Sequence, residues 1–247
     1  VNDALFERFP CDQIFGMHNA PTLPLGRVHL RPGAMMASSD RVDVLITGKG
    51  GHAAFPHSTI DPTVAAASVV MALQSIVSRN IDPFGNAVIS IGRLLAGEHG
   101  THNVIPQQAR LELSVRALDP KTRDLLEQRI RELIKLQSES FGCTASVNYR
   151  RGYPVLVNHP ASSALVEQVA RECFGEDMVD GQTPPIGGSE DFASMLEVRP
   201  GCYFLMGNGD GPGSCMVHHP GYDFNDDLLP ASIRMWTALA QKLLELR

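Results

Sequence analysis

No stretch of this 247-residue chain reaches the roughly 18 apolar residues that cross a bilayer. The opening "VNDALFERFPCDQIF" carries acids and lacks the basic-then-apolar pattern of a secretory leader. The five cysteines, Cys11, Cys143, Cys173, Cys202 and Cys215, are scattered, with no CxxC among them. An odd, unpatterned count argues for reduced thiols and a cytoplasmic setting. Basic charge is not in surplus either: the net charge is -6, which argues against a non-specific nucleic-acid surface. Internal repeats and low-complexity tracts are missing, and the nine histidines form no HxH or HxxxH pair. What is present, 43% hydrophobic and 19% charged residues, is ordinary for a soluble globular protein of one large or two small domains. The first residue is Val1, and "NDALFERFP" reads as the end of a helix running into a strand, so the chain is expected to be a piece of a longer protein.

Periodicity divides the chain. "CDQIFGMHN" is expected to be a buried strand with His18 at its C-terminal end, and residues 25–37 to be extended. "SDRVDVLITG" alternates as a half-buried strand does. A Gly- and His-containing loop, "GKGGHAAFPHS", leads to a helix capped by Asp61 with Pro62 in its first turn. Two strands, "NAVISIGRLLAG" and "ARLELSVRAL", flank the loop "EHGTHNVIPQQ". The amphipathic helix "DPKTRDLLEQRIRELIKLQSESF" and the strand "CTASVNYRRGY" follow. Strand, helix, strand, strand, helix, strand is the ferredoxin-like (βαββαβ) order. Beyond "RGYPVLVNHP", helices alternate with the buried strand "GCYFLMGNG". That alternation suggests an α/β layer. The expected fold class is therefore α/β, with residues 1–37 and 152–247 forming one domain and a ferredoxin-like unit, 38–151, inserted between them.

His18 closes one strand, and the pair His218 and His219 follows another in "SCMVHHPGYDFND". Strand ends of open α/β sheets gather active sites. Two histidines there could share a divalent metal, although a zinc-like site needs three or four ligands. They could equally be surface or hydrogen-bonded core residues. Neighbours on an extended backbone point opposite ways, so at most one of the pair should face a given site. Gly50 and Gly51 admit backbone conformations closed to other residues and could hold His52 at a loop tip, unless this is a plain turn. Asn103 could bond a ligand or be an ordinary turn residue. Arg116 shares a strand face with Arg110, Glu112 and Ser114; it is either solvated or a fork-shaped carboxylate clamp. In "GGSEDF", Gly187 and Gly188 precede Glu190 and Asp191; backbone N–H groups there, Gly188 foremost, could bind an anionic substrate group, or the acids could be helix caps.

In series, "FGMHN", "RPGAMMASSD", "GKGGHAAFPH", "NVIP", "YRRGYP", "GGSEDF", "GNGDG" and "HHPGYDFND" resemble the metal-dependent amidohydrolases, a metallopeptidase-related family that includes hippurate hydrolase, the aminoacylases and the plant hydrolases of auxin–amino acid conjugates. The likeness runs over essentially the whole chain in order. It implies a metal-binding α/β catalytic domain, here residues 1–37 and 152–247, with the unit 38–151 as a satellite that often mediates a homodimer. It implies hydrolysis of the amide bond of N-acyl amino acids by metal-activated water, with a glutamate as general base.

By motif, His18 and His218 resemble metal ligands for Mn²⁺, Zn²⁺, Co²⁺ or Ni²⁺. His219 falls where the family carries asparagine. His52 resembles the satellite histidine that stabilises the tetrahedral intermediate, commonly in the partner subunit's site. Asn103 and Arg116, 13 residues apart, resemble the pair that holds the substrate carboxylate. The family's remaining ligands and its general base, a Cys-x-His motif and a Glu-Glu pair, lie upstream of the point where this sequence starts. The resemblance therefore implies that this chain alone is an inactive portion, or one completed by a partner or by a further segment. The alternative is a non-catalytic module that dimerises and binds carboxylates. No nucleic acid and no membrane is expected among its partners.

Overall fold

The computed structural model describes residues 1, 3–21, 23–211 and 214–245. Pro212 and Gly213 of the glycine-rich segment, Asn2, Thr22 and the last two residues of the terminal helix pattern lie outside them. In chain order the elements are α1 (Leu5–Arg8), β1 (Ile14–Ala20), β2 (Val28–His29), β3 (Gly33–Met36), β4 (Asp40–Thr47), β5 (Gly51–His52) and α2 (Pro62–Asn80). Then come β6 (Ala87–Ala96), β7 (Val104–Ile105), β8 (Gln108–Ala117), α3 (Pro120–Glu139), β9 (Thr144–Arg151) and β10 (Leu156–Asn158). The chain continues through α4 (Pro160–Phe174), β11 (Val179–Asp180), α5 (Ala193–Leu196), β12 (Gly201–Gly207) and α6 (Leu229–Glu245). No helix among the described residues is long and apolar enough to cross a membrane. The chain divides into two compact units: Val1–Met36 with Leu156–Ile186 and Glu190–Arg247, and Ala37–Val155 with Gly187–Ser189.

In the second unit the strict alternation of β4 turns Val42, Val44 and Ile46 inward and leaves Arg41 outside. β8 does the same with Ala109, Leu111, Leu113 and Val115. The sheet runs β6-β8-β4-β9, antiparallel throughout. α2 and α3 cover its apolar face. α2 begins where Asp61 accepts a hydrogen bond from Thr63 N (2.8 Å) and Pro62 occupies the first turn. Its Ala65, Ala66, Val69, Leu73 and Ile76 form one helical stripe, all fully buried. α3 starts likewise from Asp119 on Thr122 N and buries Leu126, Ile130 and Ile134. Each such aliphatic side chain contributes about 1.5–3 kcal/mol on burial. The long elements come in the order read from the sequence. The two connecting loops differ from expectation: they pair with each other as a small antiparallel ribbon of β5 and β7.

Asp40, at the start of β4, is 1% exposed. Its carboxylate accepts from Arg123 Nε (3.0 Å) and Nη2 (2.5 Å), from Tyr149 Oη (2.8 Å) and from Gly152 N (3.1 Å). Arg123 also donates to Gly152 O (3.1 Å). Burial, reinforced by the Asp40 carboxylate, pushes the Tyr149 phenol well above its ordinary range, so it remains a donor. Alongside, Ser39 N donates to Tyr153 O and Gly152 N to Ser39 O. One ion pair thus ties together the starts of β4 and α3 and the end of β9.

In the first unit the sheet order is β1-β12-β2-β11, with β1 parallel to β12, β12 antiparallel to β2 and β2 parallel to β11. Val28, Leu30, Cys202, Phe204 and Met206 pack on Val166, Val169 and Ala170 of α4 and Met235 and Leu239 of α6. A second cluster joins Met35 and Met36 of β3, Leu156 of β10, Ala193 and Tyr203. β12 is buried as expected. β1 is not: residues Ile14 to Asn19 are half-buried, because among the described residues β1 pairs only with β12. His18 also stands two residues inside the strand rather than at its end.

Removing Asp40 strands the Arg123 charge in the interior, so Asp40→Ala is expected to lose about 3–5 kcal/mol in urea unfolding. Glu112→Ala breaks an exposed pair with Arg93 (2.9 Å) and is expected to cost under about 1 kcal/mol. Equal losses would remove the special standing of the Asp40 network.

Candidate active-site residues

The ring of His18 is fixed by its own neighbour. Its Nδ1 lies 2.7 Å from Asn19 O, and a carbonyl only accepts, so Nδ1 carries the proton. The Nε2 lone pair is then free to bind a Lewis acid. Asn19 in turn donates from Nδ2 to Tyr222 Oη, tying β1 to the loop that holds His218. Ser214 Oγ donates to Pro21 O and Gly209 O (2.7 Å each), pinning the start of the same loop. The structure thus brings the strand of His18 and the loop of His218 side by side.

His218 itself is exposed and has φ 69°, in the left-handed region. The backbone there turns, so the pleat argument for separating the two histidines does not apply. Hydrogen bonding separates them instead. His219 Nδ1 accepts from Gly221 N (3.0 Å), and its backbone N bonds Met216 O, which commits His219 to shaping the loop.

Glu190 is a residue whose role pattern alone did not reveal. Its acids were candidates for helix capping, but α5 begins at Ala193, is four residues long and has no side-chain cap. Glu190 Oε2 instead accepts from Tyr203 Oη (2.7 Å). Burial alone would raise its carboxyl. The Tyr203 hydroxyl, Asp191, the Phe192 N–H and the nearby His18 ring outweigh that and hold it below its ordinary value. Asp191, bonded to Glu190, is pushed up by that contact. Burial and Glu190 push the Tyr203 phenol up as well. The available signal was a tyrosine in a buried strand, which must find a partner for its hydroxyl. Gly16, opposite Tyr203 in the β1–β12 register, makes room for the ring: a Cβ there would sit 2.9 Å from Tyr203 Cδ2.

In the second unit, His52 pairs with Val104 across β5 and β7, and Ala53 N donates to Asn103 O (2.9 Å). His52 and Asn103 are therefore neighbours. His52 Nδ1 accepts from Ala54 N (3.1 Å), which leaves the proton on Nε2, so the exposed edge of this ring is a donor. Gly50 and Gly51 support it for a reason other than the expected one, since neither has positive φ. They permit close approach: a Cβ on Gly50 would lie 2.8 Å from Ile105 O, and one on Gly51 would lie 2.7 Å from Thr59 Cγ2.

Arg116 is half-buried near the other end of β8, opposite Val88. Its Nη1 is buried without a hydrogen-bond partner among the described residues. The adjoining Ala117 exchanges hydrogen bonds with Ser38, and Ala37 N donates to the exposed Gly188 (2.9 Å to its O). Arg116 and Gly188 thus belong to one end of the unit. Asn103 lies beyond the other end: the eight residue steps from Gln108 to Arg116 cover about 27 Å. The 13-residue spacing does not make Asn103 and Arg116 neighbours within one chain.

Among the described residues no group of three or more His, Cys, Asp or Glu is arranged to hold a metal ion. His18, with its Nε2 lone pair free, has the chemistry of a ligand. A methyl group at Gly50 would press on the backbone of residues 105–107. Gly50→Ala is expected to cost about 1–3 kcal/mol and to speed amide exchange at His52 and Val104 ahead of the β4–β8 ladder. Unchanged protection at those two amides would contradict this account of the ribbon.

Residues 1–242 match the family described as peptidase family M20/M25/M40. The chain is 38% identical over 245 residues to a hippurate hydrolase of Campylobacter jejuni, covering 99% of this chain and 63% of that protein. It is 37% identical to an N-acetylcysteine deacetylase of Bacillus subtilis, covering 94% and 59%. With an Arabidopsis thaliana IAA-amino acid hydrolase the identity is 35%, covering 95% and 53%. Among solved structures, a Bacillus subtilis protein described as a dinuclear metal-binding peptidase of the M20 family superposes with TM-score 0.78 at 28% identity, covering 96% of this chain and 58% of the other. The chain thus spans a little over half the length of the proteins it matches, and it belongs to peptidase family M20/M25/M40.

Proposed function

We propose that this chain is the C-terminal portion of a metal-dependent amidohydrolase that cleaves the amide bond of N-acyl amino acids. Its 38–151 region acts as a ferredoxin-like satellite through which two copies pair. The observation that carries this reading is the pair of ring states. His18 offers a lone pair, as a metal ligand must, while His52 offers an N–H, as a group facing a developing oxyanion must. The names of the relatives point the same way: hippurate, N-acetylcysteine and indoleacetic acid–amino acid conjugates all join an acyl group to an amino acid.

Hydrolysis adds water across the C–N bond. The hydroxyl goes to the acyl carbon and a proton to the leaving amine. His18 and His218 would hold a divalent cation that supplies a water acidic enough to react at neutral pH. Neither can act as the general base while so engaged. The His52 Nε2–H would donate to the carbonyl oxygen as its charge develops. Arg116, with its unpartnered Nη1, would clamp the substrate carboxylate, and Gly188 lies at the same end of the unit.

The length of β8 supports the two-copy arrangement. His52 and Asn103 lie beyond the Gln108 end of β8, and Arg116 stands about 27 Å along the strand from that end, a separation that one substrate would not bridge within one chain. A site using all of them would draw His52 and Asn103 from the partner.

A longer protein carrying the upstream segment, loaded with Mn²⁺, Zn²⁺, Co²⁺ or Ni²⁺, is expected to hydrolyse hippurate and related N-acyl amino acids. Failure across a broad panel of acyl groups would overturn the assignment. His52→Ala should lower kcat by about 10²–10³ and leave bound metal unchanged, whereas His218→Ala should lose metal. Mixing the two variants should restore part of the activity. Absence of complementation would refute the shared site.

A further inference from the structure

The helix-free face of the β6-β8-β4-β9 sheet is not uniformly polar. In register, Leu95 of β6 stands opposite Arg110 of β8, and Ala96 opposite Ala109. Ala109 is buried in the helix-covered core, so by the pleat Leu95 and Arg110 share the other face. Leu95 is 45% exposed there, and Val104, on the connection between the two strands, is 52% exposed. Both line one open concavity of about 820 Å³ at the Gln108 end of β8, with Pro106 as a third apolar wall. Exposed apolar side chains scattered singly mean little. Three that line one concavity of this size have the form of a small-molecule site.

His52 stands at the rim of this concavity. Val104 and Pro106 line it, and Ile105 between them does not, as the alternation of an extended segment requires. His52 is directly opposite Val104 in the β5–β7 ribbon. Opposed residues of an antiparallel pair carry their side chains on the same face, with Cβ atoms about 5 Å apart. The His52 ring and its Nε2–H therefore lie on the concave side of the ribbon, one side chain away from Val104. Hydrogen bonds hold both ends of the wall: Gly48 N donates to Gln107 O (3.0 Å), and Thr101 Oγ1 donates to Glu98 O (2.7 Å).

The lining decides what fits. Leu95, Val104 and Pro106 offer apolar surface, and Glu98 and Arg110 bring one charge of each sign, so nothing there calls for a charged group. The next step rests on the reading that the His52 Nε2–H meets the carbonyl oxygen of the substrate. The two substituents of that carbonyl then part. The amino-acid half leads to the carboxylate clamp at Arg116, contributed by the second copy. The acyl half is left beside Val104. We propose that the concavity is the acyl subsite and that it favours neutral, bulky apolar acyl groups over acetyl, with Leu95 and Val104 as its specificity-determining residues. An acetyl group presents one methyl to these walls, whereas a benzoyl group presents a whole ring.

The test is methyl NMR of this chain labelled with ¹³C, titrated with sodium hippurate and, separately, with sodium N-acetylglycine at constant ionic strength. Leu95→Thr and Val104→Thr identify the two sets of methyl signals, and both positions are exposed enough to accept the change. Saturable movement of the Leu95 and Val104 signals is expected with hippurate, with affinity about tenfold weaker for N-acetylglycine. Signals that ignore both compounds, or follow both equally, overturn the subsite. Binding is read here without turnover, so its failure is distinct from a failure of the hydrolytic reading. In the longer, metal-loaded protein, the ratio of kcat/KM for hippurate to that for N-acetylglycine is expected to fall about tenfold in either variant. An unchanged ratio places the discrimination elsewhere and likewise overturns the inference.

Discussion

The double pairing of β8 governs what this chain can do. Held on one side by β6 and on the other by β4, a ten-residue strand can neither bend nor slide without breaking two ladders at once. A one-residue slip would also turn Leu111, Leu113 and Val115 out of the core. The strand is therefore a fixed spacer. One end leads back to the ribbon that carries His52 and Asn103, and the other carries Arg116. The Asp40–Arg123 pair fastens the Arg116 end, where the unit's first and last strands meet. Under the proposed activity, groups so separated would serve one substrate only if two copies contributed.

Rigidity recurs at the scale of single rings. Three histidines, His18, His52 and His219, use Nδ1 against the backbone, yet the partner differs. A carbonyl fixes the proton on Nδ1, and a backbone N–H excludes it from there. The same side chain thus becomes a Lewis base at residue 18 and a hydrogen-bond donor at residue 52. Glu190 and Tyr203 add a preset carboxylate that feels the His18 ring. None of these settings requires a ligand to form, so they are pre-organised in the sense that lowers the cost of binding and of charge development.

The sheet of the first unit shows the cost of polar groups on a buried face. Its helix-covered side is filled by aliphatic and aromatic residues with nothing to satisfy. Its other side places His18, Tyr203, Leu205, His29 and Asp180 on neighbouring strands. Each polar member must find a partner or keep an unmet demand. Tyr203 finds Glu190, and His18 finds Asn19. The Arg27–His29–Arg31 segment is met only in part.

Much of the alternation and the Asp61 cap were legible in the sequence. The long strands of the 38–151 region, both its helices, the buried β12 and the motif series that marks the family follow from local pattern, because pleat, helical stripe and cap depend on near neighbours. Loops were not legible in the same way. The β5–β7 ribbon joins residues about fifty positions apart, and the two glycines before His52 are required by close approach to Ile105 O and Thr59 rather than by backbone angle. By itself the sequence named the candidates for chemistry: His18, His52, Asn103, Arg116, Gly188 and His218. Only the tertiary structure decided which nitrogen of each fixed ring is free, that Asn103 stands with His52 and far from Arg116, and that Glu190 answers Tyr203. Those outcomes depend on hydrogen-bond partners and strand lengths set by long-range pairing, which no local pattern encodes.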